Sequence, residues 1–393
     1  RVREALLSWS RTNRPQEMHQ SDFDQLKKAL HSTFKLVPSL IRELNSDEQV
    51  LVQLTEDQAE GLVRIYSNPR VHVEGTAGSG KTMMALARAR SFAEEGMQSL
   101  LLCYNRKLAD WLRRITEGVE GLKVAHFHGL CWEFCQKAGL AFEPPPKGSD
   151  ESGDFWRRKC AELLLDATDT VTDRFDAIVV DEGQDFHDEW WVGIEALHKN
   201  AGGPLYIFFD RAQNLYATGL SFPSGIPYNL SENCRNTRSI ARSCGKVLGQ
   251  SIKSPRNCPE GVAPVVKTYA DEEEVREACT RLIQDVIGKE GLHPSRVALL
   301  SPHVREKSCL NVDRLGSYPL IDQVPAWMAG EGIWFSTIRA FKGLEAEVMV
   351  LVDIGDLRED KFSKEDLFVA CSRARHRLYV FTNSQPIREL VAS

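Results

Sequence analysis

The spacing of apolar positions changes character near Leu54. Between Phe23 and Leu44 apolar residues recur three and four apart, the period of an amphipathic helix. Beyond Leu54 short apolar runs alternate with helical stretches, the pattern of parallel sheets covered on both faces. The runs predict strands at Val71–Glu74, Ser99–Tyr104, Lys123–Phe127, Ala177–Asp181 and Leu205–Asp210. A second set is expected at Ala263–Thr268, Arg296–Ser301, Ile333–Ser336, Glu347–Val352 and Leu378–Thr382. The reading is an α/β chain with a helical segment or linker over residues 1–50 and two doubly wound parallel-sheet domains, 51–222 and 223–393. The stretch Phe142–Asp154, with three successive prolines, is expected as a surface loop.

With 393 residues the chain exceeds one ordinary core, in keeping with two domains. It is 42% hydrophobic and 26% charged, and it has no apolar run near the roughly 20 residues of a membrane helix. A net charge of −6 argues against a general polyanion coat but permits a confined nucleic-acid groove. Ten cysteines are scattered, and Cys131 and Cys135 lack a second pair to complete a metal site. Reduced structural thiols in a cytoplasmic protein are expected, with His126 and His128 as strand and turn residues. Because the chain opens with Arg1, a fragment or processed product is expected.

Two motifs carry chemistry. Residues Gly75, Thr76, Ala77, Gly78, Ser79, Gly80, Lys81 and Thr82 match G-x-x-x-x-G-K-[ST] between a β-branched run and a helix. Such a loop wraps triphosphate with its backbone N–H groups; Lys81 adds charge at the β/γ end and the Thr82 hydroxyl ligates Mg²⁺. The run Phe175–Phe186 ends an apolar strand in the adjacent carboxylates Asp181 and Glu182. Asp181 is placed to hold Mg²⁺, and Glu182 to orient and deprotonate a water.

With these in place, the chain from about residue 50 to 385 resembles superfamily 1 helicases of the UvrD/Rep type. Thr55-Glu-Asp-Gln58 is similar to the adenine-reading glutamine motif. Leu102-Cys-Tyr104-Asn105-Arg106-Lys-Leu and Ala125-His-Phe127-His128-Gly-Leu resemble two single-strand-binding motifs. Phe208-Phe-Asp210-Arg-Ala-Gln213-Asn-Leu-Tyr216 is similar to the segment whose glutamine senses the γ-phosphate. Leu230-Ser-Glu-Asn233-Cys-Arg235-Asn-Thr resembles the motif that delivers a first arginine. Thr337-Ile-Arg339-Ala-Phe-Lys342-Gly-Leu-Glu345 and Val369-Ala-Cys-Ser-Arg373-Ala resemble the last two motifs, the second of which brings another arginine. The resemblance implies two tandem RecA-like domains with ATP and Mg²⁺ in the cleft between them. It assigns Lys81, Asp181, Glu182, Gln213, Arg235 and Arg373 to catalysis, and Gln58 and Glu345 to nucleotide binding. Tyr104, Asn105, Phe127, His128, Tyr216, Thr337 and Arg339 are assigned to nucleic acid.

The chain departs from the family at several points. Met83 and Cys234 stand where the family has an arginine and an aromatic near the adenine. No tryptophan follows Tyr216, so base stacking would rest on Tyr104, Phe127 and Tyr216, at about 1–3 kcal/mol per base. The stretches Leu130–Asp181 and Ser301–Ile333 are too short for the subdomains that full-size relatives insert there. In this compactness the chain resembles helicase modules found downstream of a nuclease-related domain (the NERD family) in bacterial proteins, which implies a nuclease module upstream. Two functions remain open: an ATP-driven 3′–5′ translocase or helicase on single-stranded or partly duplex DNA, with RNA undistinguished, or a nucleotide-dependent switch regulating an attached nuclease. A small-molecule kinase is disfavoured, because no acceptor-site motif is present.

Overall fold

The computed structural model describes residues 40–63, 66–146, 149–213, 220–358 and 362–392. Most of the helix expected over Phe23 to Leu44, and Tyr216, lie outside them. Among these residues the first sheet comprises β1 (Arg70–Gly75), β2 (Ser99–Cys103), β3 (Leu122–His126), β4 (Ala177–Val180), β5 (Leu205–Phe209) and β6 (Ile226–Leu230). Its order is β3-β2-β4-β5-β1-β6, and every pairing is parallel. The second sheet comprises β7 (Val265–Lys267), β8 (Val297–Ser301), β9 (Arg314–Leu315), β10 (Tyr318–Ile321), β11 (Ile333–Thr337), β12 (Ala346–Leu351) and β13 (Ala374–Phe381). Its order is β7-β13-β12-β8-β11-β10-β9, with one antiparallel pair, β9 with β10. Two parallel-dominated α/β sheets are the arrangement expected of tandem RecA-like domains.

The central strands read as unbroken apolar runs because helices cover both faces. Ser99–Cys103, Ala177–Val180, Leu205–Phe209 and Val297–Ser301 are buried at every position. The edge strand β6 differs: Ile226-Pro-Tyr-Asn is largely exposed, and an edge tolerates Pro227, which has no N–H to donate. Lacking an apolar run, β6 escapes the sequence pattern. It lies beyond the expected junction at 222/223 yet pairs with β1, so the first sheet extends to Leu230.

The expected boundary at 50/51 falls inside one continuous helix, Leu40–Val63. Leu44 is fully buried with Val275, Cys279, Leu299 and Phe335 in the core of the second sheet, while Leu51 and Leu54 pack with Cys234 and Cys258. Glu43 pairs with Arg377 at 2.9 Å, and Glu48 meets Arg375 and His376, each at 2.8 Å. This helix precedes the first sheet in sequence but is anchored on the second. All ten cysteines are free and buried. Among the described residues, no helix is long and apolar enough to cross a membrane.

Leu44→Ala should therefore cost about 2–5 kcal/mol in urea unfolding, the range for truncating a core leucine. A parent-like midpoint would show that the helix is not part of that core.

Candidate functional site between the two sheets

Strands β4, β5 and β1 are neighbours, so the segments leaving their C-terminal ends converge, as ligand-binding segments of parallel sheets do. After β1 the chain turns through Gly78 (φ 82°) and Gly80 (φ 77°) into the helix Lys81–Glu94. That helix has no side-chain cap, which leaves its first N–H groups suited to an anion. Lys81 Nζ donates to Gly75 O (2.7 Å) and Thr76 O (2.9 Å) and lies 3.4 Å from Asp210 Oδ2. The hydroxyls of Thr76 and Ser79 are buried without a hydrogen-bond partner, and so are both carboxylate oxygens of Asp181. Sealed polar atoms seldom stay unpaired, so these fit a phosphate and a cation bound there. Among the described residues, no cluster of three His, Cys, Asp or Glu side chains could hold a metal. The carboxylate of Asp181 and the hydroxyl of Thr82 instead suit Mg²⁺, which typically takes one or two protein ligands plus substrate phosphates.

Glu182 adopts the left-handed region (φ 55°), uncommon for a side chain of its size. Gln184 Nε2 donates to Glu182 Oε2 at 2.5 Å, while Gln184 Oε1 accepts from Asp210 N at 2.9 Å. Burial pushes the pKa of Asp181 up, and the adjacent Glu182 charge adds to the rise. For Glu182 burial also pushes upward, but Lys342, Lys81 and Arg373 together outweigh it and hold the carboxylate low. Two neighbouring acids thus have their proton affinities driven apart, Glu182 being the one kept charged.

The second sheet closes this site. Lys342 Nζ reaches Asp185 Oδ1 and Oδ2 at 2.6 and 2.7 Å and Gln213 O at 2.8 Å, all buried. Arg373, 1% exposed, donates to Gln213 Oε1 at 2.5 Å, and Gln213 Nε2 donates to Asp210 Oδ2 at 2.6 Å. Burial, then the nearby Arg235, lowers the Arg373 pKa to about 10. Arg235 pairs with Glu345, which also takes Arg375 at 2.6 Å. The backbone N–H groups of Cys234 and Arg235 donate to Gly78 O at 2.8 and 2.9 Å. Gln58 donates to Glu232 O at 3.1 Å and keeps a buried, unpartnered Oε1. An apolar cavity of about 410 Å³ borders the site, lined by Thr55, Met83, Trp111, Arg235 and Glu345 among others.

The residues expected to face nucleic acid are less united. Phe127 is fully buried, its ring stacked 4.0 Å from Trp190, so it cannot offer a face to a base. It opens the helix Phe127–Ala138 instead of closing β3, because its apolar ring seats in the first core. His128 donates from Nε2 to Trp156 O at 3.2 Å, and burial lowers its pKa to about 4, leaving a neutral imidazole unsuited to pairing with phosphate. Asn105 is occupied by protein contacts: its Oδ1 caps the next helix, and its Nδ2 donates to Ala340 O (3.1 Å) and Lys342 O (3.0 Å) across the cleft. Thr337 Oγ1 accepts from Ala340 N at 3.2 Å, and Arg339 pairs with Asp366 at 3.1 and 3.2 Å. Tyr104 is half-buried and rims a cavity of about 320 Å³ with Arg106, Glu182 and Lys342.

Sequence reasoning left Gln184, Asp185, Asp210, Asn233, Asn236 and Lys342 out of the site. Their chain neighbours are largely polar, so nothing local marks them, yet all six are 2% exposed or less.

A Cβ on Gly78 would stand 2.4 Å from the Asn233 amide. Gly78→Ala should therefore displace the 233–235 segment on top of the roughly 1–2 kcal/mol cost of a left-handed alanine. A lowered thermal midpoint is expected; an unchanged one would disprove the close approach.

Against known proteins, residues 332–381 match the family model for the UvrD-like helicase C-terminal domain. The crystal structure of arterivirus nonstructural protein 10 (helicase) aligns with TM-score 0.41 and 12% identity, over 86% of this chain and 64% of that one. The structure of the PRRSV helicase aligns with TM-score 0.40 and 14% identity, over 84% and 57%. A complex of arterivirus nonstructural protein 10 (helicase) with DNA gives 0.37 and 12%, over 88% and 67%. The chain thus spans less than two thirds of the first two. No curated protein sequence matches it. Over β11, β12 and β13, the second sheet is similar to the C-terminal domain of UvrD-like helicases.

Proposed function

We propose that the chain hydrolyses ATP in the cleft between its two sheets and uses the cycle to move 3′ to 5′ along single-stranded DNA. The observation that carries this reading is the buried path from Lys81 through Asp210 and Gln213 to Arg373, which joins the phosphate loop of one sheet to an arginine of the other. In the proposed mechanism the loop 75–82 binds the phosphates, and Lys81 leaves its carbonyl partners for the β/γ oxygens. Thr82 and Asp181 would hold Mg²⁺, which when bound would neutralise phosphate charge. Glu182, kept deprotonated by Lys342, Lys81 and Arg373, orients water and takes its proton. Arg373, and Arg235 once released from Glu345, stabilise the charge on the γ-phosphoryl group as it passes to water and ADP leaves, a contribution of about 10³–10⁵ in rate for such arginines. Opening and closing of the cleft would alternate the grip on the strand.

A second reading is a nucleotide-dependent clamp that regulates a nuclease-related module upstream. It is favoured by the internal engagement of Asn105, Phe127, Thr337 and Arg339, which leaves fewer groups for gripping a strand. In either case the buried free thiols suit a reducing, cytoplasmic setting.

The test is the steady-state ATPase rate with and without single-stranded DNA, beside Glu182→Gln and Arg373→Ala. The motor reading expects strong stimulation by DNA, abolished in both variants with nucleotide binding retained, whereas Lys81→Ala also weakens binding. Turnover indifferent to DNA would favour the clamp, and normal hydrolysis by Glu182→Gln would remove that residue as the base.

A further inference from the structure

Asn236, to which no motif assigns a role, bonds through every polar atom of its side chain. It is fully buried. Its Nδ2 donates to Ser372 O at 3.0 Å and Ala374 O at 2.5 Å, the carbonyls on either side of Arg373. Its Oδ1 accepts from Asn233 Nδ2 at 2.7 Å, and the same Nδ2 donates to Ala77 O of the phosphate loop at 3.0 Å. Asn233 Oδ1 in turn accepts from the backbone N–H groups of Arg235 (3.1 Å) and Asn236 (3.0 Å). One residue on, Thr237 N donates to Arg375 O at 3.0 Å, which extends the grip along the same backbone.

We propose that Asn236 is a positioning residue for Arg373, and that the Asn233–Asn236 pair is a rail by which the phosphate loop sets where that arginine sits. This rests on the hydrolase reading above. A primary amide suits the place: its two N–H bonds satisfy two carbonyls while its oxygen accepts from a neighbour. Arg373 lies between the two gripped carbonyls, so its backbone cannot shift without breaking one of these bonds. A displacement of Ala77 on phosphate binding would pass through Asn233 and Asn236 to Ser372 and Ala374. Aspartate has the same shape but would turn an oxygen toward the two carbonyl oxygens, so Asn236→Asp should break the rail without opening a cavity.

The experiment combines kinetics with hydrogen exchange on the full chain. Asn236→Ala and Asn236→Asp should each lower kcat for ATP by about 10²-fold, the scale of a small misplacement of a reacting group, with KM unchanged. In the Arg373→Ala background, Asn236→Ala should cause no further loss, since it acts through that arginine. An additive loss, a parallel change in KM, or full kcat in Asn236→Asp would overturn the proposal. Amide exchange over residues 372–375 should quicken in Asn236→Ala while the helix Lys81–Glu94 stays protected. Unaltered exchange there would overturn the rail directly. That measurement needs no turnover, so an inactive parent protein would count against the hydrolase reading and not against the rail.

Discussion

Everything around the cleft depends on a set of charges that neither sheet could bury alone. Lys342 belongs to the second sheet and Asp185 to the first, and both are almost completely sealed from water. An unpaired charge in such a place costs several kcal/mol, and docking of the two sheets supplies each group with an oppositely charged partner. Hydrogen bonds to neutral groups cross the same divide, Arg373 to Gln213 and Asn233 to Ala77. Such pairs contribute little net stability, but they define the one relative placement of the sheets that satisfies them all. Apolar packing joins in: Leu108 of the first sheet contacts the position of Gly343, where a Cβ would stand 2.5 Å from it.

That constraint ties the nucleotide side of the cleft to its outer rim. Asn105 leaves the end of β2, caps its own helix, and holds the carbonyls of Ala340 and Lys342. The Lys342 ammonium is the strongest of the charges that keep Glu182 ionised. A movement of the Tyr104–Arg106 rim therefore reaches the candidate base through two hydrogen bonds and the electrostatic influence of Lys342. The 338–345 crossing is the element they share, because it must run from the C-terminal end of β11 back to the start of β12 along the face of the first sheet.

The helix Leu40–Val63 adds a second tie. Leu44 sits in the second core, Glu43 and Glu48 meet Arg375, His376 and Arg377, and the far end of the helix leads toward β1. Arg375 also holds Glu345, the partner of Arg235. The chain entering the phosphate-loop sheet is thus fastened beside the arginines that face it.

By itself the sequence determined the class of fold and pointed to a candidate nucleotide-binding loop. Short apolar runs alternating with helical stretches point to parallel strands, and ten of them emerge within one to four residues of where they were expected. Glycines at Gly78 and Gly80 and the Lys81-Thr82 pair declare a phosphate loop because few other folds of the chain would require that order. The edge strand β6 and the two-residue β9 stayed hidden, since neither carries an apolar run long enough to betray it. Tertiary structure alone decided which polar side chains are spent on the protein itself. Asn105, Thr337 and Arg339 read as strand contacts, yet they close hydrogen bonds across or beside the cleft; Phe127 reads as a stacking ring, yet it lies in the core. Asn236 gave no sign of its importance, and Lys342 stood within the Thr337–Glu345 motif without an assigned role. Hydrogen-bond partners more than a hundred residues apart are fixed by the docking of two sheets, and no local pattern in the chain encodes that docking.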